Sequence, residues 1–197
     1  VSEAPVRVAV VVGSVREGRF APTVASWFTE QAGRHGGFEV DVVDVADLAL
    51  PLVMPGRGSA PAPEVVEEVA NLSARLAAAD AFVVITPEYN HSYPASLKNV
   101  VDWFMAEWRA KPVAFVSYGG ISGGLRAVEH LRQVFAELHA VTIRETVSFH
   151  GAHGQFDENG SPKDAPATAV AAKALLDQLE WWARSLAQGR AARPYPA

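Results

Sequence analysis

Short, almost wholly apolar runs recur along the chain with helix-length segments between them, and few folds accommodate that alternation. Val6–Val12 reads VRVAVVV, a β-branched run with no polar alternation, as expected of a strand buried on both faces. FEVDVVDV at Phe38–Val45, AFVVIT at Ala81–Thr86, PVAFVS at Pro112–Ser117 and AVTIRETVSF at Ala140–Phe149 read as four more strands. Helical patterns fill the gaps at Thr23–His35, Ala62–Ala78, Ser96–Met105 and Leu125–Leu138, and Ala165–Gln188 follows the last strand. A β-α alternation repeated in this way predicts an α/β fold: a five-stranded parallel sheet in the order 2-1-3-4-5 with helices on both faces. With 197 residues, the expectation is one domain over 1–197, with its core at about 6–188. The segment LPLVMPGRGSAPAP, 50–63, reads as an irregular loop, and the tail RAARPYPA as loosely ordered.

Composition removes several classes of function. The formal net charge of −5 lacks the basic footprint of a nucleic-acid binder. With no cysteine, the chain can have neither a disulfide framework nor a thiolate nucleophile nor Cys-ligated metal. No secretory signal or membrane span is legible, since the first apolar run is short and the later ones are broken by Arg75 and Asp80. A cytoplasmic protein is expected.

In an open parallel sheet, ligands bind beyond the carboxyl ends of the strands, near the point where strand order switches. Three loops lie there: GSVREGRFAP after strand 1, PEYNHSYPASLKN after strand 3 and SYGGISGGLR after strand 4. In the first, Gly13 permits a tight turn, Ser14 brings a hydroxyl, and Arg16 and Arg19 bring planar cations suited to phosphate oxygens. The following helix points free N–H groups at the same place. Gly13 and Gly18 have the spacing of a nucleoside-triphosphate loop, but Arg19 and Phe20 replace its Lys and Ser/Thr; Val15 breaks the dinucleotide fingerprint. A terminal monophosphate fits better. Taken alone, the loop fits a surface turn with two solvated arginines equally well. Tyr89 and Asn90 offer a flat face and paired donor and acceptor groups to a planar heterocycle, or else simple turn chemistry. The four glycines of SYGGISGG allow close backbone approach, though glycines alone more often mark a flexible loop.

Together, GSVREGR, PEYNHSYPASLKNVVDW and SYGGISGGLRAVEHLRQVF resemble, in order and spacing, the NAD(P)H-dependent FMN reductases of the flavodoxin-like superfamily, a group including quinone, azo-compound and chromate reductases. The resemblance runs from Val6 to about Gly160. It implies non-covalent FMN, NAD(P)H as hydride donor and a small acceptor that is quinone-like or itself a flavin. It implies a phosphate loop of Ser14, Arg16, Arg19, Phe20 and Ala21, with Arg16 the matching arginine. Pro87, Glu88, Tyr89 and Asn90 would contact the isoalloxazine ring and ribityl chain, and Ser117, Tyr118, Gly119 and Gly120 would line the ring's other side. Many members carry Ser and then Asn where this chain has Arg19 and Ala21, so two neutral contacts are lost and one cation gained. The family is typically dimeric, sometimes a dimer of dimers.

Flavin chemistry needs no amino-acid general base, so no catalytic residue is assigned. Glu88 and His91 have the chemistry of acid/base groups but read as solvated loop residues. His150, His153 and Asp157 in HGAHGQFD read as a turn rather than a metal site. Trp103, Phe104 and Trp108 suit stacking on a substrate, core, or a homodimer or homotetramer interface, with Trp108 assigned to the interface. Trp181 and Trp182 are expected to pack the last helix on the sheet. Two further functions fit the same residues: a flavin reductase supplying reduced FMN to a partner monooxygenase, and an FMN-binding regulatory protein with little turnover.

Overall fold

A computed structural model describes residues 4–56 and 58–196; Arg57, inside the loop expected over 50–63, and Ala197, in the tail, lie outside them. The expected sheet is present. Strands β1 (Val6–Val12), β2 (Phe38–Asp44), β3 (Ala81–Pro87), β4 (Pro112–Gly119) and β5 (Val141–His150) are parallel and run β2-β1-β3-β4-β5. β3 continues one residue past the expected end, to Pro87, whose missing N–H stops the ladder.

Period-two alternation divides the apolar residues between two cores. Val6, Val8, Val10 and Val12 face helices α1 (Ala21–His35) and α6 (Ala165–Ala192), while Ala9 and Val11 face α2 (Val66–Ala78), α3 (Ala95–Trp103) and α4 (Leu125–Glu137). The short α5 spans Ala152–Gln155. Every residue of β3 is buried, which accounts for its unbroken apolar sequence. Burying one valine of this kind contributes about 1.5–3 kcal/mol. No described helix is long and apolar enough to cross a membrane.

Several sequence expectations change. Trp108 is fully buried, its ring 4.5 Å from Phe82 and 5.4 Å from Phe135, with Nε1 donating to the Val101 carbonyl. It is core, not interface. Phe104 is buried too, and half-buried Trp103 donates from Nε1 to the Pro51 carbonyl, fastening α3 to the loop after β2. α3 stops at Trp103 because Phe104 is extended. Trp182 packs against the α1/α6 core, but Trp181 is 62% exposed and does not. The tail is more ordered than its composition suggests. α6 continues through Gly189 to Ala192, Arg190 donates to the Ala110 carbonyl, and the Tyr195 hydroxyl bonds His139 Nδ1 at 3.0 Å.

Lys111 is buried at the start of β4, donating to the Leu76 and Ala77 carbonyls at the end of α2, with Arg190, Asp80 and Glu107 near. Burial first, and then the charge of Arg190, push its pKa down to about 8 from 10.5. Between those two values the unfolded chain binds more protons, so this group makes stability rise with pH there; below about 8 its desolvation cost is fully present. Urea unfolding across that window should show the wild type gaining stability relative to Lys111→Met as pH rises. A difference independent of pH would contradict the assignment.

Candidate functional site

The carboxyl ends of β1, β3, β4 and β5 open into one cleft of about 550 Å³. Its walls are Ser14 and Arg16–Phe20 after β1, Pro87–Tyr89 at the end of β3, Tyr118–Gly120 at the end of β4, and Gly151–His153 after β5.

The loop after β1 is built around its backbone. Gly13 donates to the Ile85 carbonyl at 2.9 Å, and a Cβ there would stand 3.1 Å from Leu97 Cδ2, a tight contact that glycine avoids as the chain hugs β3. Ser14 is buried, its Oγ 2.9 Å from the Tyr89 hydroxyl. Arg19 N–H closes a turn onto the Arg16 carbonyl. The Arg19 guanidinium lines the cleft but is gripped by Asp44 at the end of β2, with Nη1 2.5 Å from Oδ1 and Nη2 2.7 Å from Oδ2. Burial would raise the Asp44 pKa, but the Arg19 hydrogen bonds and charge, with the Ala46 N–H, hold it below the ordinary value; Asp44 in turn raises that of Arg19. Of the two arginines expected to be free for phosphate, only Arg16 is exposed, and its guanidinium has no ion pair or hydrogen bond among the described residues. No side chain caps the N-terminus of α1.

After β3, Tyr89 and Ser92 exchange backbone hydrogen bonds around Asn90 and His91, whose φ values of 49° and 69° give both central residues the left-handed sense of a type I′ turn. Glu88 is not solvated: its side chain is 8% exposed and accepts from Arg126 Nε at 2.7 Å, Ser122 Oγ at 2.6 Å and the Arg126 N–H. It ties this loop to the one after β4. His91 is exposed, as expected, and contacts Arg126 Nη1.

Three expected cofactor contacts fall outside the cleft lining. Asn90 sits exposed at the turn, where the fold uses its tolerance of positive φ. Ala21 is fully buried as the first residue of α1. Ser117 is buried and donates to the Gly123 carbonyl, holding the glycine loop from beneath. Conversely, sequence reasoning missed Glu17, Gly18 and the β5 wall of Gly151, Ala152 and His153. The signal was available, since a fifth parallel strand must also end at this edge. The His153 ring packs tilted against Phe20, centroids 4.9 Å apart, His150 Nδ1 bonds the Ile121 carbonyl, and Asp157 accepts from the Asn159 and Ser161 N–H groups.

The chemistry of the cleft fits a planar group bearing a phosphate. The Tyr118 hydroxyl is enclosed, near Ser14 but without a hydrogen-bond partner of good geometry, and burial pushes its pKa up. An orphaned buried hydroxyl costs about 1–3 kcal/mol unless a ligand or water meets it. A Cβ on Gly18, Gly120 or Gly151 would meet nothing within 4 Å, so a ligand can approach the backbone there.

A doubly wound sheet of this order with such a cleft at its switch point defines the flavodoxin-like class. Within it, the chain belongs to the NADPH-dependent FMN reductase family, whose model matches residues 6–154. An NAD(P)H-dependent FMN reductase of Schizosaccharomyces pombe is 39% identical over 60% of this chain, and the chain spans 60% of that relative's length. A quinone reductase of Pseudomonas putida is 31% identical over 90% of this chain and 94% of its own. Among solved structures, the flavoenzyme NAD(P)H:(acceptor) oxidoreductase FerB of Paracoccus denitrificans superposes with a TM-score of 0.73 at 26% identity, covering 91% of this chain and 97% of FerB.

Gly124 tests how the glycine loop is held. Its φ is 86°, and a Cβ would lie 2.7 Å from Ser117 Cβ and 3.0 Å from the Tyr118 N. Gly124→Ala should lose at least about 1–3 kcal/mol of stability in urea unfolding, the scale of a strained left-handed residue. A loss below a few tenths would show the loop to be free to move.

Proposed function

We propose that this FMN-dependent NAD(P)H oxidoreductase holds FMN in the cleft at the carboxyl edge and passes two electrons to a quinone-like acceptor. The observation that carries the site assignment is the convergence there of a cation with no described partner, Arg16, and a buried hydroxyl with none, Tyr118. The relatives named as quinone reductases, matching over most of the chain, support the acceptor class.

Bound FMN would supply hydride acceptance from NAD(P)H and two-electron delivery to the acceptor. The protein's part is position and electrostatics. Arg16 and the start of α1 would hold the phosphate. Tyr118 would offer its hydroxyl, and Gly119 and Gly120 would let the backbone come close. Phe20, with the exposed His153 ring against it, would form one side wall of the cleft.

Arg16→Ala should weaken FMN binding by about 1.5–3 kcal/mol, the scale of a charged hydrogen bond, and leave riboflavin binding nearly unchanged. Equal losses for the two flavins would remove the phosphate assignment. Steady-state kinetics on protein freed of unbound flavin test the cofactor's residence. Parallel double-reciprocal lines with a quinone and no added FMN are expected, whereas activity only with free FMN as a saturating substrate would favour the flavin-reductase reading.

The enzyme is proposed to act as a homodimer or tetramer. The expected aromatic interface is internal, but Val15 and Ile121, 50% and 97% exposed, stand in the loops that form the cleft, where a second copy would cover them. A mass measurement finding only 21.1 kDa monomer at micromolar concentration would contradict this.

A further inference from the structure

Arg19 occupies the loop assigned to the phosphate, yet its guanidinium is turned to β2. The fork is bidentate on Asp44, and Nη1 also donates to the Ser14 carbonyl at 2.7 Å. Both side chains are mostly enclosed, 18% and 20% exposed. From Ser14 the bonding continues through its Oγ to the Tyr89 hydroxyl, and the neighbouring Gly13 carbonyl accepts from Ser96 Oγ at the start of α3. One continuous chain of polar contacts thus runs from the end of β2, through the loop after β1, to the loop after β3.

We propose that Arg19 is a positioning residue: clamped by Asp44, it fixes the loop after β1 and, through Ser14, the place of Tyr89, leaving the phosphate charge to Arg16. The inference rests on the FMN reading of the cleft.

Swinging Arg19 to a phosphate would strip Asp44 of its partner and leave a largely enclosed carboxylate uncompensated, which is strongly unfavourable. The fork also matters. Its planar donors reach both Asp44 oxygens and the Ser14 carbonyl together, and a lysine ammonium, a point donor on a flexible stem, cannot reproduce that arrangement. Asp44 further cancels the Arg19 charge locally, so the loop presents one free cation rather than two. The clamp is complete before any cofactor binds, so ordering of the loop is not charged against FMN affinity.

The sign of the Asp44 effect separates a clamp from a ligand. FMN is titrated into flavin-free wild type, Arg19→Ala, Asp44→Ala, the double variant and Arg19→Lys, following quenching of flavin fluorescence. Arg19→Ala and Asp44→Ala should each weaken FMN about tenfold, and the double variant no more than either alone, as for two members of one contact. Arg19→Lys should fail to restore the affinity. Hydrogen exchange on the flavin-free proteins should show faster amide exchange confined to residues 14–19 and the Tyr89–Ser92 turn in both single variants, a change that general destabilisation would not confine. Asp44→Asn, which preserves shape, replaces Asp44→Ala should the latter not fold. If loss of the Asp44 charge leaves FMN binding unchanged or tightens it while Arg19→Ala weakens it, Arg19 is a phosphate ligand and the proposal fails. Additive losses would overturn it as well. A wild type that binds no FMN would instead remove the reading of the cleft on which the proposal stands.

Discussion

β1, β3 and β4 are sandwiched between two helical layers, and from Val8 to Val12, Ala81 to Pro87 and Pro112 to Tyr118 every residue is buried. Strands enclosed in this way present little chemistry along their length, because a polar side chain there meets no water and must find an internal partner, as Thr86 does in the Pro87 carbonyl and Ser117 in the Gly123 carbonyl. Polar function is therefore displaced to their ends. Being parallel, they place the loops after β1, β3, β4 and β5 along a single edge, and the cleft follows from that topology.

What the sheet brings together, polar contacts hold in register. Asp44 grips Arg19, Arg19 holds the Ser14 carbonyl, Ser14 meets Tyr89, and Glu88 beside it reaches Ser122 and Arg126. Four loop segments are joined by partly enclosed contacts, where hydrogen bonds to charged groups are strong and solvent screening weak. Among the described residues lining the cleft, the exposed side chains of Arg16 and Glu17 stand outside this network, and the enclosed Tyr118 hydroxyl has no hydrogen-bond partner. A cleft whose walls are already braced suits a cofactor that must be held in one orientation while two substrates exchange electrons through it.

Sequence and structure agree where a pattern had only one physical solution. The valine-rich run VRVAVVV forms a strand buried on both faces from Val8 onward, and with the β-α alternation it set the strand order and put the glycine- and arginine-bearing loops at one edge. Legibility ended where a residue had two possible partners. Arg19 reads in the sequence as a free cation because nothing local reveals that Asp44, twenty-five positions on, lies within reach across the sheet edge. Glu88 and Trp108 were misassigned for the same reason: Arg126 and Ser122 bury the first, Phe82 and Phe135 the second, and all four partners are distant in sequence. His153 has no local signature of a site in HGAHGQFD, and reaches the cleft only because β5 is parallel to its neighbours and ends at the same edge.

On the proposed reading, FMN bound at this edge carries electrons from NAD(P)H to an organic acceptor. The direct measurement is the visible absorption of purified, FMN-loaded protein under anaerobic conditions. Equimolar NADH or NADPH should bleach the flavin band, and a quinone added afterwards should restore it without flavin leaving the protein. A loaded protein whose absorption is unmoved by either nicotinamide would contradict the account.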